Sequence, residues 1–349
     1  IHRALYNANH AIMNDKRPKV VIDSDIPFIR GRIEPFADTA YVPQFGFTPQ
    51  LVADADAMVI RTRTRCNAEL LAGSSVQIIA TATIGMDQFD LPWCHSAGIK
   101  TVNAPACNAP GVAQYVWSCL IRHGIDPAHT TIGIVGCGGV GSIVADWALR
   151  LGAKILVSDP PKAADGTLQY PDTPLDTLLQ QSDVVTLHVP MTRAGQHPTY
   201  HLIGERELQM MRPGAWIVNA ARGPVADNAA LLDAIRTRGI HAIIDTWEGE
   251  PDINRDLLRA ADTATYHIAG YSLEGKQRAT RMALEALRSH FGWDIDTSGL
   301  ATAYSCPKGL NARAIADSFD PQPVMDQLLA HPEKFDTLRA EYKFRPEVK

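Results

Sequence analysis

The chain has 349 residues, of which 46% are hydrophobic and 20% charged, and its formal net charge at pH 7 is −5. This length exceeds what one compact core usually holds, so we expect two domains and a small appendage. The composition is typical of a soluble globular protein. The mild negative charge argues against nucleic acid or an anionic membrane as a partner, and no apolar run is long enough to span a bilayer.

Residues 1–17 are expected to form an N-terminal extension, because they contain no signal-peptide hydrophobic region and precede the first predicted strand. None of the cysteines forms a C-x-x-C pair or has a zinc-site spacing with histidine, so we expect no metal site. Free thiols in apolar segments favour a reducing cytoplasm. The six cysteines are Cys66, Cys94, Cys107, Cys119, Cys137 and Cys306.

Short apolar segments alternate with helical patterns, and this alternation predicts an α/β fold with two doubly wound parallel sheets. Helices are expected over 111–122, passing from the first domain to the second, and over 275–291, returning to the first. Five strands are predicted first, near Lys19–Asp23, Thr39–Val42, Ala57–Arg61, Gln77–Ala80 and Lys100–Asn103. Six more follow, near Thr131–Val135, Lys154–Ser158, Val184–His188, Ala215–Asn219, His241–Asp245 and Thr265–Ile268.

The second set of strands begins with a glycine-rich turn. Gly136, Gly138 and Gly141 have the spacing G-x-G-x-x-G between an apolar strand and a helical pattern. In a βαβ unit the first glycine makes the turn, the second lets the backbone approach a pyrophosphate, and the third lets the helix pack on the strand. This context favours a Rossmann dinucleotide-binding domain over an ordinary βα turn.

The end of the next strand bears on which dinucleotide is bound. Asp159 lies about twenty residues after the glycines, where a carboxylate binds the ribose hydroxyls of NAD. Its charge repels the 2′-phosphate of NADP, and Pro160 and Pro161 leave no arginine beside it. NAD is therefore the expected cofactor, and Lys162 is the nearby cation that keeps NADP an alternative.

Three loops after later strands carry side chains suited to oxidising an alcohol next to a carboxylate. Arg222 can bind a carboxylate through two parallel hydrogen bonds. Glu248 and Glu250 follow the strand that ends at Asp245, and one of these carboxylates is suited to orienting a histidine. His267 lies in the last apolar strand, where a neutral imidazole can accept a hydroxyl proton. Considered alone, each of these features has a purely structural explanation. Arg222 can be a surface arginine, the glutamates can belong to a solvated acidic loop, and His267 can be a packed histidine.

With these residues in place, the sequence resembles the D-isomer-specific 2-hydroxyacid dehydrogenase family from about Pro18 to Phe291. The resemblance implies an NAD-dependent oxidoreductase in which Arg222, Glu250 and His267 are catalytic. It also implies a set of cofactor-binding residues on the strand ends and the glycine turn. These are Gly136, Gly138, Gly139, Val140, Gly141, Asp159, His188, Val189, Ala220, Ala221, Arg222, Asp245 and Gly270.

Further strings resemble one branch of that family, whose substrate carries a phosphate. By that resemblance, Thr62, Thr83 and Tyr271 contact the substrate, whereas Val189 replaces a hydroxyl residue expected at its position. A phosphate needs a second anion site, for which Arg61 or Arg63 is the candidate if this segment is extended; a solvated basic turn is the alternative. The strings cover 80–87, 106–109, 158–161, 245–251, 267–276 and 335–342.

The resemblance also divides the chain. It implies a flavodoxin-like substrate-binding domain at 18–108 and 275–299, a Rossmann NAD-binding domain at 109–274, and a dimerisation segment at 300–349 of a cytoplasmic homodimer. Two other functions stay open. One is a dehydrogenase for another 2-hydroxy acid, of the 3-phosphoglycerate or glyoxylate type, and the other is a non-catalytic NAD-sensing protein.

Overall fold

A computed structural model describes residues 17–348, so the predicted N-terminal extension lies almost wholly outside the described residues. The chain divides into two compact units, each of which has its own sheet. Unit 1 contains residues 17–107 and 276–302, and unit 2 contains residues 108–275 and 303–348. Within residues 17–348, no helix combines the length and apolar character that crossing a bilayer requires.

Unit 1 is built on a five-stranded parallel sheet with the order β2-β1-β3-β4-β5. Its strands are β1 (Lys19–Asp23), β2 (Asp38–Val42), β3 (Ala57–Ile60), β4 (Ile78–Thr81) and β5 (Lys100–Val102). Its short helices are α1 (Pro49–Val52), α2 (Ala68–Leu71) and α3 (Leu91–Ser96). Along β1, Val20 and Ile22 join one apolar cluster and Val21 joins another, because successive side chains point to opposite faces. The sheet is therefore buried on both faces.

Unit 2 contains a six-stranded parallel sheet with the order β11-β10-β9-β8-β6-β7. Its strands are β6 (Thr131–Val135), β7 (Lys154–Ser158), β8 (Val184–Leu187), β9 (Trp216–Asn219), β10 (His241–Ile244) and β11 (Thr263–Ala264). The strand order reverses beside β6, since β7 lies on one side of it and β8 on the other. In such sheets ligands bind at the carboxyl edge near this reversal.

Helices connect these strands, as the alternating pattern predicts. They are α4 (Ala109–Arg122), α5 (Gly139–Arg150), α6 (Pro160–Ala164), α7 (Leu175–Gln181), α8 (Glu205–Met210), α9 (Asn228–Arg238), α10 (Arg255–Ala260) and α11 (Leu273–Phe291). All of α4 belongs to unit 2, whereas the division between the units falls inside α11. The predicted α/β fold with two parallel sheets is confirmed.

The last predicted strand, Thr265–Ile268, is wrong. The observed strand β11 ends at Ala264, and His267 lies in the following loop with a left-handed backbone (φ +57°). A left-handed residue interrupts an extended strand. The apolar run that predicted a strand is instead a buried loop at the carboxyl edge of the sheet.

The C-terminal segment, defined here as residues 303–348, packs on unit 2 through three helices. They are α12 (Ala312–Ser318), α13 (Gln322–Ala330) and α14 (Phe335–Glu341). Ile315, Leu328 and Phe335 are buried in the same apolar cluster as the sheet. The hydroxyl of Ser118 in α4 donates to the Ile315 carbonyl over 2.8 Å. These contacts make the segment part of unit 2.

Candidate active site

The glycine turn after β6 has the geometry that its spacing predicts. Gly136 has φ +87°, a conformation that side chains rarely adopt. A Cβ on Gly141 would lie 2.0 Å from the Gly136 carbonyl oxygen, so α5 approaches the turn closely. Around Gly138 no heavy atom lies within 4 Å of a Cβ position, which leaves its backbone open to a ligand. Gly139 and Val140 form the first turn of α5.

Asp159, at the end of β7, is fastened to this turn. Its Oδ2 accepts the Cys137 amide over 2.7 Å, and its Oδ1 accepts the Lys162 amide over 3.2 Å. The Lys162 ammonium group donates to the Cys137 carbonyl over 2.9 Å. The turn, the acid and the nearby cation are thus one hydrogen-bonded group at the carboxyl edge.

His188 and Val189, after β8, lie beside the glycine turn. A Cβ on Gly136 would meet the Val189 Cγ1 at 2.7 Å and the His188 carbonyl group at 3.0 Å. Burial lowers the pKa of His188 to about 3, so its ring is neutral near neutral pH. The His188 Nε2 is 2.9 Å from the hydroxyl of Thr186.

Arg222 is held in the loop after β9 by a buried asparagine. The side-chain amide of Asn219 donates to the carbonyls of Arg222 and Gly223 over 3.1 and 3.3 Å, and its oxygen accepts the Ala221 amide over 3.2 Å. A Cβ on Gly223 would lie 1.9 Å from the Trp247 carbonyl carbon, so the loops after β9 and β10 touch. Ala220 and Ala221 lie in this loop beside the half-buried Arg222.

His267 and Glu250 form the central pair of the site. The His267 Nδ1 is 2.6 Å from the Glu250 Oε1, and each side chain is 24% exposed. Burial raises the pKa of Glu250, but the charge and hydrogen bond of His267, helped by Arg339, outweigh burial and leave it below the ordinary value. Because Glu250 is ionised, Nδ1 is the donor. The Nε2 of His267 accepts no hydrogen bond from residues 17–348 and is the nitrogen able to take a proton.

Asp245 accepts hydrogen bonds from the loop that carries His267. It is 1% exposed, and it accepts the Thr265 hydroxyl over 2.6 Å and the amides of Ile268 and Ala269 over 2.7 and 2.9 Å. Its carbonyl accepts the His267 amide over 2.8 Å. These bonds hold the backbone on both sides of the left-handed residue, whose strain needs such support. The predicted nicotinamide contact of Asp245 stays a prediction.

The second glutamate of the same loop has a different partner. Glu248 Oε1 is 2.8 Å from the Nε2 of His201, and Asp227 Oδ2 is 3.4 Å from the Nδ1 of His201. The ligand atoms of these three residues lie within 4.8 Å of one another, a grouping that sequence spacing did not reveal. The residues alone left open which glutamate meets His267, whereas the family resemblance implied Glu250. The structure pairs Glu250 with His267.

The C-terminal segment reaches this site with two arginines that sequence reasoning missed. Arg345 donates to the carbonyls of Ile268 and Gly111 over 3.0 and 2.9 Å and also to the carbonyl of Ala269. The guanidinium carbon of Arg339 lies 5.6 Å from the centre of the Tyr271 ring. The sequence signal was the string 335–342, which resembles one branch of the family and includes Arg339 but does not indicate where that side chain points.

Gly270 completes the loop after His267. A Cβ on this residue would lie 2.1 Å from the Asn108 side-chain nitrogen, so a larger residue here would displace the Asn108 side chain. The predicted contact of Gly270 with NAD stays a prediction.

The remaining predicted substrate residues belong to unit 1. Arg61 is ion-paired there with Asp23 and Asp25, at 2.9 and 2.6 Å. The segment that follows β3 bends rather than staying extended, so the condition for placing Arg61 and Arg63 on the same side is not met. Arg63 lines a cavity of about 260 Å³ in unit 1. Thr62 is exposed, and the Thr83 hydroxyl lies 2.7 Å from that of Thr81.

Comparisons with known proteins agree on one family. Residues 111–269 match the family described as D-isomer specific 2-hydroxyacid dehydrogenase, NAD binding domain. The erythronate-4-phosphate dehydrogenase of Bacteroides fragilis is 44% identical over 342 residues, which cover 94% of this chain and 97% of that protein. The enzyme of the same name from Porphyromonas gingivalis is 38% identical, with 95% and 94% covered.

Solved structures resemble this chain at lower identity. A glyoxylate reductase from Paecilomyes thermophila is 26% identical, with a TM-score of 0.67 over 81% of this chain and 97% of that chain. A D-lactate dehydrogenase from Aquifex aeolicus, crystallised with NAD and lactic acid, is 24% identical, with a TM-score of 0.68 over 80% and 97%. The second likeness concerns the fold alone.

Proposed function

Because the chain belongs to the D-isomer-specific 2-hydroxyacid dehydrogenase family, we propose that it oxidises 4-phospho-D-erythronate to 3-hydroxy-2-oxo-4-phosphooxybutanoate with NAD. The observation that carries the chemistry is the 2.6 Å contact between His267 and Glu250. The substrate is supported by the names of relatives 38–44% identical over nearly the whole chain. The product then serves pyridoxal 5′-phosphate synthesis.

The residues of the glycine turn fit a bound dinucleotide. The open backbone at Gly138 and the twelve-residue helix α5 behind it suit a pyrophosphate. Asp159 at the end of β7 is the residue proposed to bind the ribose, and it is hydrogen-bonded to the glycine turn through the Cys137 amide. Lys162, the nearby cation, donates to the Cys137 carbonyl. When bound, NAD accepts the hydride that leaves C2 of the substrate.

The chain's own residues handle the proton and the charge. The Nε2 of His267 takes the proton of the C2 hydroxyl as the hydride leaves. Glu250 fixes the imidazole with Nδ1 as the donor and stabilises its protonated form by charge. Arg222 binds the substrate carboxylate and polarises the developing ketone. Asp245 keeps the histidine loop in position.

A substrate panel tests this proposal. Purified protein is assayed for NADH formation with 4-phospho-D-erythronate, 3-phosphoglycerate and unphosphorylated 2-hydroxy acids. We expect kcat/KM for 4-phospho-D-erythronate to exceed the others by about 10²-fold or more, the discrimination that a site built for one polar group achieves. A preference for 3-phosphoglycerate or a glyoxylate-type acid would show that 4-phospho-D-erythronate is the wrong substrate. NAD binding without turnover of any acid would favour the non-catalytic sensing role.

We further propose a cytoplasmic homodimer. All six cysteines are free thiols, which suits a reducing compartment. The segment at 335–342 resembles the family's dimerisation domain, and on unit 2 its Leu338 lines a cavity of about 320 Å³ together with Val324. Light scattering at micromolar concentration should give twice the chain mass, and a monomer mass would contradict the dimer.

A further inference from the structure

Helix α14 brings a guanidinium group into the neighbourhood of the catalytic pair. The buried Phe335 anchors the helix, and Arg339, one turn later, lies with its guanidinium carbon 5.6 Å from the centre of the Tyr271 ring. Its positive charge helps to lower the pKa of Glu250, and the charges of Glu250 and Asp245 help to raise the pKa of Arg339. Arg339 is therefore within electrostatic reach of the reacting groups.

Neither neighbouring carboxylate is hydrogen-bonded to this arginine. The oxygens of Asp245 accept the Thr265 hydroxyl and two backbone amides. The oxygens of Glu250 accept the His267 ring and the Trp247 amide, at 2.6 and 3.3 Å. Both acids are therefore occupied by other donors.

The guanidinium itself is only partly satisfied, and its hydrogen-bonding neighbour is the side chain of Tyr271. The Nε of Arg339 is buried and has no hydrogen-bond partner among residues 17–348, and no ion pair within 4.0 Å joins Arg339 to an acid of that range. A buried, charged donor without an acceptor is destabilising. Such an atom is expected where a ligand supplies the acceptor.

We propose that Arg339 binds the phosphate of the substrate while Arg222 binds its carboxylate. This inference deepens the proposed function and rests on it. A planar guanidinium matches two phosphate oxygens with parallel hydrogen bonds, and it is only weakly hydrated, which suits a partly buried position. The C-terminal segment thereby supplies the cation that distinguishes a phosphorylated hydroxy acid from an unphosphorylated one.

The test compares two substrates that differ only in the phosphate, 4-phospho-D-erythronate and D-erythronate. The variant is Arg339→Gln, and the matched control is Arg313→Gln in the same segment, whose side chain is 92% exposed. Loss of a charged hydrogen-bonding partner should raise KM for the phosphorylated acid by about 10- to 100-fold. The KM for D-erythronate should change by less than about 2-fold, and Arg313→Gln should match the wild type with both.

Equal losses with both substrates would overturn the inference, because they would mean that Arg339 acts only as a counter-charge for Glu250. No change with either would overturn it too. Arg339→Lys, which retains the charge but not the fork, should recover part of the affinity for 4-phospho-D-erythronate, and thermal unfolding of each variant identifies simple misfolding.

Titration calorimetry with inorganic phosphate separates this inference from the proposed function. If the wild type fails to oxidise 4-phospho-D-erythronate, the proposed substrate is wrong, yet phosphate should still bind more weakly to Arg339→Gln than to the wild type. If that substrate is oxidised but phosphate binds both proteins equally, the role of Arg339 is wrong and the function stands.

Discussion

Two histidine–glutamate pairs of unit 2 take their glutamates from the same loop, the one after β10, and differ in how many ring nitrogens meet a carboxylate. His267 and His201 are both left-handed, with φ of +57° and +49°, and each contacts one glutamate, Glu250 or Glu248. His201 has a carboxylate at each ring nitrogen, because Asp227 lies 3.4 Å from its Nδ1. His267 uses only Nδ1 for its carboxylate. A histidine with one ring nitrogen away from any carboxylate can transfer a proton through that nitrogen. A histidine with a carboxylate at both ring nitrogens instead connects the loops that carry those carboxylates.

The largest effect should come from removing each imidazole in turn. Asparagine tolerates left-handed backbone, so His267→Asn and His201→Asn keep the local conformation. We expect kcat for 4-phospho-D-erythronate to fall by about 10³-fold in His267→Asn, through loss of the proton acceptor, and by only a few-fold in His201→Asn. Steady-state kinetics measure both, with NAD affinity by calorimetry as the control. Similar losses of kcat in the two variants would contradict the assignment of proton transfer to His267 alone.

A smaller effect should follow from neutralising the glutamates. Glu250→Gln loses the charge that stabilises the protonated imidazole, and kcat should fall by about 10²-fold. Glu248→Gln is the matched control and should retain kcat within a few-fold. The pKa of Glu250 lies below its ordinary value, so its carboxylate stays charged at any pH above about 4.5. The difference in kcat between Glu250→Gln and Glu248→Gln should thus persist from weakly acidic to neutral pH. If the two kcat values become equal in this range, Glu250 is not the charged partner of His267.

The smallest effect concerns a third histidine. The folded-state pKa of His188 is about 3 because of burial, against about 6.5 in the unfolded chain. As pH falls from 6.5 toward 3, only the unfolded chain takes up this proton, so stability decreases through that window. His188→Asn should therefore lose less Tm between pH 7 and pH 4.5 than the wild type, by roughly a few degrees.

His197→Asn is the control for this measurement, because His197 is exposed. It should reproduce the wild-type dependence of Tm on pH. If His188→Asn also reproduces it, the ring of His188 is not held neutral by burial.

The sequence was sufficient where the physical signal was local. Apolar runs and the glycine spacing predicted β6, β7 and the turn at Gly136. The strand expected at Thr265–Ile268 was misplaced because the left-handed backbone of His267 depends on bonds from Asp245, far away in the sequence. Hydrophobic periodicity carries no information about such bonds.

The candidate site was only partly visible for the same reason. On the residues alone, Glu248 and Glu250 in one loop looked equivalent, and only the family resemblance singled out Glu250. The fold assigns each acid a histidine. Extended alternation suggested that Arg61 faces a ligand, but the chain bends after β3 and Asp23 pairs with it. Arg339 lies within the string 335–342, but that resemblance gave it no role, because the position of its side chain depends on how α14 packs.

Arg345 lies far beyond β11, the last strand of the unit 2 sheet. It donates to the carbonyls of Ile268 and Ala269, on the loop that carries the proposed catalytic histidine, His267. During synthesis the whole sheet of unit 2 emerges from the ribosome before this arginine is even translated. Activity should therefore begin only after Arg345 has itself left the ribosome and bound these two carbonyls.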